Sequence, residues 1–92
     1  MTQIQTTKTF DKLFKKLPKS IQKKAVLKTE LFKKNPFSTS LKTEKLTPKK
    51  YNVWSFRIDL SYRIVFIFLG SELAEFRFIG HHNQIYNYDI FK

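Results

Sequence analysis

Cysteine is absent from the 92 residues, glycine occurs twice and proline three times. Without thiols there is no disulfide framework and no cysteine-held zinc module. Acidic residues are also scarce: seven Asp and Glu stand against eighteen Lys and Arg, a formal net charge of +11. No apolar run approaches the roughly 18–20 residues that cross a bilayer. The opening stretch, residues 1–10, is polar and has no secretory h-region. These features predict a soluble cytoplasmic protein with no membrane partner. Aromatic residues, in contrast, are plentiful: ten Phe, four Tyr and one Trp. A disordered basic tail does not carry so many large rings. The chain therefore reads as one small folded domain, residues 1–92, with a thin core.

The charge is unevenly placed. Residues 1–50 hold fourteen Lys, no Arg and three acids, so the whole net charge lies there. A field of that size steers toward polyanions, although a solvated lysine face explains it equally well. Arg57, Arg63 and Arg77 all lie in the aromatic second half. Arginine offers a planar fork that holds a phosphate with two hydrogen bonds, where lysine offers a point charge. The three are candidate phosphate ligands. The competing reading pairs Arg57 and Arg77 with Asp59, Glu72 or Glu75 across strands.

Periodicity gives the architecture. Thr2 to Gln5 is a short edge-strand candidate. Thr6 or Thr7 caps a helix with Phe10, Leu13, Phe14 and Leu17 at i, i+3, i+4 and i+7. Pro18 ends it. A second helix follows, with Ile21, Ala25, Leu27, Leu31 and Phe32 assigned to one stripe, and Asn35-Pro36 closes it. Residues 36–50 form a loop-rich connection with a short strand at Glu44-Lys45-Leu46. Strands are then predicted over Val53–Asp59, Tyr62–Leu69 and Leu73–Gly80, separated by turns at 59–61 and 70–72. The last residues, 83–92, form a tail. The fold class is α+β: an N-terminal helical hairpin packed on one face of a small antiparallel sheet, the other face open. By strand alternation Arg57 and Asp59 share a side with Ser55. Glu75, Arg77, Ile79 and His81 share a side, with Ala74, Phe76 and Phe78 opposite. Adjacent His81 and His82 point to opposite faces and so do not chelate one ion; no metal site is expected.

A helical hairpin, then Trp54-Ser55-Phe56-Arg57-Ile58, Tyr62-Arg63-Ile64-Val65-Phe66 and Ile79-Gly80-His81-His82, resembles the RelE/ParE superfamily of bacterial toxin–antitoxin systems. The YoeB-like, YafQ-like and RelE-like ribonuclease branches are the nearest in pattern. The resemblance covers nearly the whole chain, and its specific part runs from Glu44 to about Tyr86.

What the resemblance implies is an mRNA interferase. Such a toxin enters the ribosomal 30S A site and cuts the message by 2′-OH attack on the adjacent phosphate, without metal or cofactor. A Glu nineteen residues before the Arg of the Tyr-Arg block is matched by Glu44 and Arg63. His81 falls on the family's catalytic His. The RelE-like branches place lysines before the corresponding strand and a Tyr late in the chain, matched by Lys49, Lys50 and Tyr86. The reaction needs a base, an acid and cations for a pentacoordinate phosphorane. Glu44 is the candidate base and Arg63 the phosphorane ligand, with Arg57 on a flanking phosphate. The acid is His81, or a site centred on His82 and Tyr86; the pattern leaves both open. The implied partners are a cognate antitoxin with an acidic segment, the ribosome and mRNA. Two other functions compete: a ParE-like toxin acting on DNA gyrase, and a basic nucleic-acid-binding module with no chemistry.

Overall fold

Thr7 ends an extended run and begins a helix. Its own backbone is extended, and its Oγ1 accepts a hydrogen bond from the Phe10 N–H at 3.1 Å. That bond satisfies one of the helix's orphan amides. In the computed structural model, which describes residues 1–87 and side chains through Ile85, the preceding run is β1 (Gln3–Thr6) and the helix is α1 (Lys8–Lys16). Pro18 forces Leu17 out of helical geometry, and α2 (Lys19–Lys34) starts directly after it. Gln22 Nε2 ties the hairpin by donating to the Leu17 carbonyl at 3.0 Å. Then come β2 (Glu44–Lys45), β3 (Trp54–Arg57), β4 (Tyr62–Gly70) and β5 (Leu73–His81), with short 3-10 segments at Thr39–Leu41, Lys49–Tyr51 and His82–Asn87.

The sheet order is β1-β5-β4-β3-β2. Strands β2 to β5 pair antiparallel as expected. β1 instead joins the far edge parallel to β5, with Gln3 opposite Leu73 and Thr6 opposite Phe76, so the sheet is mixed. The hairpin carries the chain away between β1 and the other strands, which allows the parallel alignment.

Phe32 of α2 is fully buried and organises the core on the helix side of the sheet. Its ring meets those of Phe56, Phe66 and Phe76 at centroid distances of 5.0, 4.9 and 5.4 Å, offset or edge-on. Such ring pairs add to the area they bury. Ile21 and Ala25 are buried beside it on the same helix face. Leu27 does not join them: it is 70% exposed. Two residues past Ala25 is about 200° around the helix, which turns Leu27 outward.

The decisive irregularity lies in β5. Val65 pairs with Phe78, but Phe66 pairs with Phe76, so Arg77 is one residue too many on its strand. Such a bulge interrupts the alternation. Ala74, Phe76 and Ile79 pack in the helix-side core. Phe78 packs on the other side with Leu46, Val53, Val65 and Ile85. The expected grouping of Phe78 with Phe76, and of Ile79 and His81 with Arg77, therefore fails beyond the bulge. The face expected to be open is partly closed as well. The 3-10 turn His82–Asn87 replaces the start of the expected tail and buries Ile85 against it.

Candidate functional site

Cross-strand partners share a face of a sheet. Arg57 stands opposite Arg63, and Arg63 opposite Gly80. The neighbouring row on that face is Glu44, Ser55, Val65 and Phe78. The face away from the helices thus gathers Glu44, Arg57 and Arg63 at one end of the sheet. Gly80 keeps this end shallow. A methyl there would come within 2.8 Å of Gln84 Oε1 and 3.1 Å of the Phe78 ring, so the bare Gly80 backbone lets these two side chains lie close against it.

The turn between β3 and β4 holds the arginine. Arg63 Nη1 donates to the carbonyls of Asp59, Leu60 and Tyr62 at 2.9, 3.1 and 3.2 Å. Burial holds the guanidinium below its ordinary pKa, and the adjacent Arg57 charge pushes the same way; Glu44 and Asp59 pull it back. Glu44 is therefore close enough for its charge to be felt. Arg57 makes no ion pair among the described residues. It also lines a cleft of about 480 Å³ between α2 and this turn, with Lys24, Lys28 and Lys42.

Asp59 builds the turn. Its Oδ1 accepts from the N–H groups of Ser61 and Tyr62 at 2.8 and 2.9 Å, and its Oδ2 accepts from Lys24 Nζ at 3.4 Å. Burial alone would raise its pKa. The Ser61 and Tyr62 amides, then Lys24, more than offset that and leave it lowered.

The two histidines do not behave as neighbours on a strand. β5 ends at His81, and His82 opens the 3-10 turn. Their rings stack at 4.5 Å and 27°, so the expected opposite orientation is overturned. His81 stands opposite Tyr62, on the helix-side row with Ile79, and its ring lies edge-on to Tyr62 at 5.6 Å. His81 Nδ1 accepts from the Asn83 N–H at 3.2 Å. His82 is tied to the arginine turn. Its N–H donates to the Ser61 carbonyl at 2.7 Å, and its Nδ1 lies 3.2 Å from the same oxygen. A carbonyl only accepts, so that contact requires a proton on His82 Nδ1, whereas the Asn83 contact requires none on His81 Nδ1. Neutral His81 and His82 are thus held in opposite tautomers, with the His82 Nε2 lone pair available.

Other predicted residues fall elsewhere. Lys49 and Lys50 are exposed in the 3-10 turn before β3, with Lys50 Nζ 5.2 Å from the Tyr51 ring centre. Arg77 is engaged at the opposite edge. Its Nε donates to Glu75 Oε1 at 2.9 Å, and Glu75 Oε2 accepts from Gln5 Nε2 at 2.6 Å. Tyr86 lies in the last turn, and its side chain is outside the described residues. Among the described residues no three His, Asp or Glu side chains cluster as a metal site, and no helix is long and apolar enough to cross a membrane. Asp59, Ser61 and Gly80 were missed as site-builders. An Asp two residues before a Ser, between two strand patterns, was the available signal for the first two.

The architecture, a helical hairpin over a five-stranded mixed sheet, can be set beside known folds. No family model matches the sequence, and no curated protein matches it. Solved structures do. The YoeB/ParE toxin from Agrobacterium tumefaciens is 21% identical with a TM-score of 0.73, over 88% of this chain and 99% of that one. YafQ from Escherichia coli is 17% identical with a TM-score of 0.74, over 94% and 99%. The RelB–RelE antitoxin–toxin complex from Methanococcus jannaschii is 28% identical with a TM-score of 0.69, over 91% and 96%. The chain has the RelE/ParE superfamily fold, shared with its YoeB, YafQ and RelE branches.

Proposed function

We propose that this chain is the toxin of a toxin–antitoxin pair and a metal-independent, ribosome-dependent endoribonuclease acting in the cytoplasm. The observation that carries the reading is the row of two arginines facing each other across β3 and β4, with a glutamate on the same face and an imidazole tied to the same turn. A folding chain gains nothing from two cations set side by side. A phosphodiester in transition does, because it carries extra negative charge.

In this reading the 2′-hydroxyl of the message gives its proton to Glu44 and its oxygen bonds to phosphorus. The P–O5′ bond breaks, and the imidazolium of His82 supplies a proton to the departing O5′. A cyclic 2′,3′-phosphate and a 5′-hydroxyl result. Arg63 faces the phosphorane and Arg57 a flanking phosphate, with Lys49 and Lys50 adding contacts to RNA. His82 is favoured over His81 as the acid because its Nδ1 is pinned to the Ser61 carbonyl, which leaves Nε2 for proton transfer beside Arg63's turn. His81 stands on the helix-side row. Tyr86 is left the role of stacking on a base. Arg77, paired with Glu75, is dropped from the phosphate ligands. The antitoxin is expected to cover the Arg57/Arg63 surface with an acidic segment.

The test is a defined bacterial translation reaction with new mRNA ends mapped by primer extension. Cuts within A-site codons that need ribosomes and disappear in His82→Ala support the reading. Cuts lost in His81→Ala alone move the acid to His81. Intact message with intact translation points to gyrase inhibition or plain nucleic-acid binding.

A further inference from the structure

Asp59 lies outside the proposed reacting groups, yet Arg63 and His82 both hang from its turn. Oδ1 gathers the Ser61 and Tyr62 amides, at 2.8 and 2.9 Å. That bracket aims the backbone the other way. The Asp59, Leu60 and Tyr62 carbonyls converge on Arg63 Nη1, and the Ser61 carbonyl meets the N–H and Nδ1 of His82. All four carbonyls on the two functional side chains belong to residues 59–62. Arg63 and His82 are nineteen residues apart in the chain, and this turn is their common support.

We propose that Asp59 is a positioning residue: its carboxylate folds the β3–β4 turn so that one set of carbonyls orients the Arg63 guanidinium and holds His82 in the Nδ1–H tautomer. The inference rests on the nuclease reading for its catalytic consequence, though not for its geometry. The ion pair with Lys24 at 3.4 Å is a separate matter. It is long, with Lys24 half-exposed, so it contributes little. The short local bracket is what matters, and that separates two substitutions. Asp59→Asn keeps an oxygen for the Ser61 and Tyr62 amides while losing the charge. Asp59→Glu keeps the charge, but one more methylene moves the carboxylate out of the local turn.

The experiment uses Asp59→Asn, Asp59→Glu and Asp59→Ala in the full chain. Single-turnover cleavage is measured against the concentration of programmed ribosomes, and the His81 and His82 tautomers are read by 15N NMR. Displacing a catalytic pair by about an ångström slows a reaction by roughly 10- to 100-fold. Glu and Ala are expected to lose about that much in the saturating rate, with the half-saturating concentration unchanged within about twofold. Both should shift His82 toward the Nε2–H tautomer and leave His81 unmoved. Asn should stay within about threefold of the parent. If Ala does not fold, the Asn and Glu pair carries the test. Folded Glu that cuts at the parent rate with His82 unchanged overturns the proposal. So does Asn as slow as Glu, because the charge and not the turn would then be at work. If the parent itself does not cut, the nuclease reading falls and the His82 tautomer decides: lost in Glu and kept in Asn upholds the positioning role, and unchanged in both overturns it.

Discussion

Arg63 and Arg77 sit on neighbouring strands of one sheet and have opposite surroundings. Arg77 occupies the bulge of β5 and donates to Glu75, which Gln5 also holds from the edge strand. Every charge in that group has a partner, and the Glu75 carboxyl is lowered by the Gln5 hydrogen bond and then by Arg77. Arg63 faces a second arginine, is partly buried, and leans on neutral carbonyls for support. Burial, and then the Arg57 charge, hold its pKa below the ordinary value. The first arrangement explains itself through folding. The second does not: Glu44 and Asp59 offset the repulsion only in part, and a like-charge pair held in place by a dedicated turn is what an anion site requires.

Removing the arginines one at a time separates their roles. Arg63→Ala is expected to lower single-turnover cleavage by about 10²–10³-fold, the scale of losing one preorganised charge donor, with folding intact by circular dichroism. A mutant that cuts like the parent places Arg63 with Arg77 as a structural residue. Arg57→Ala should act on binding. The slope of log affinity for single-stranded RNA against log salt should become shallower by about 0.7, one phosphate's share. An unchanged slope removes Arg57 from the RNA surface.

Arg77→Gln should change cleavage by less than about twofold and cost about 0–1 kcal/mol in urea melts at neutral pH. The sign of its pH dependence follows from Glu75. A carboxyl with a lowered folded pKa contributes stability above its unfolded value, and the contribution disappears as pH falls through the folded one. The gap between parent and Arg77→Gln should therefore be full above about pH 5 and close on acidification below about pH 4. A gap that persists in acid means that Arg77 works through some contact other than its carboxylate.

Local pattern carried much of the architecture. The helix repeat, a threonine cap at 6 or 7, the break at Pro18, the edge strand and the last three strands are all written in spacing, because each depends on residues a few positions apart, although β3 keeps only Trp54–Arg57 of the expected Val53–Asp59. Glu44, Arg57 and Arg63 were grouped by the family resemblance rather than by periodicity, and the β2–β3 and β3–β4 registers set them on one face. The faces of the histidines were not legible. One extra residue at Arg77 exchanges the faces of everything after it on β5, and nothing in Glu75-Phe76-Arg77-Phe78 marks which residue is the extra one. Leu27 was misplaced for a smaller reason: an apolar residue on an amphipathic helix is not always on the apolar face.

Composition and spacing by themselves determined that this chain folds as a helical hairpin with a following sheet, carries its net charge in the first half, and sets arginines among strands. Hydrophobic period and charge are properties of the chain before it folds. Tertiary structure alone decided where β1 pairs, which face each residue beyond the bulge takes, and how the last turn lies over Gly80. It also decided that Asp59 reaches both Arg63 and His82 through one set of carbonyls. Those depend on register between segments far apart in sequence. A slip of one residue reverses every side chain that follows, and only packing against both faces at once selects among the registers.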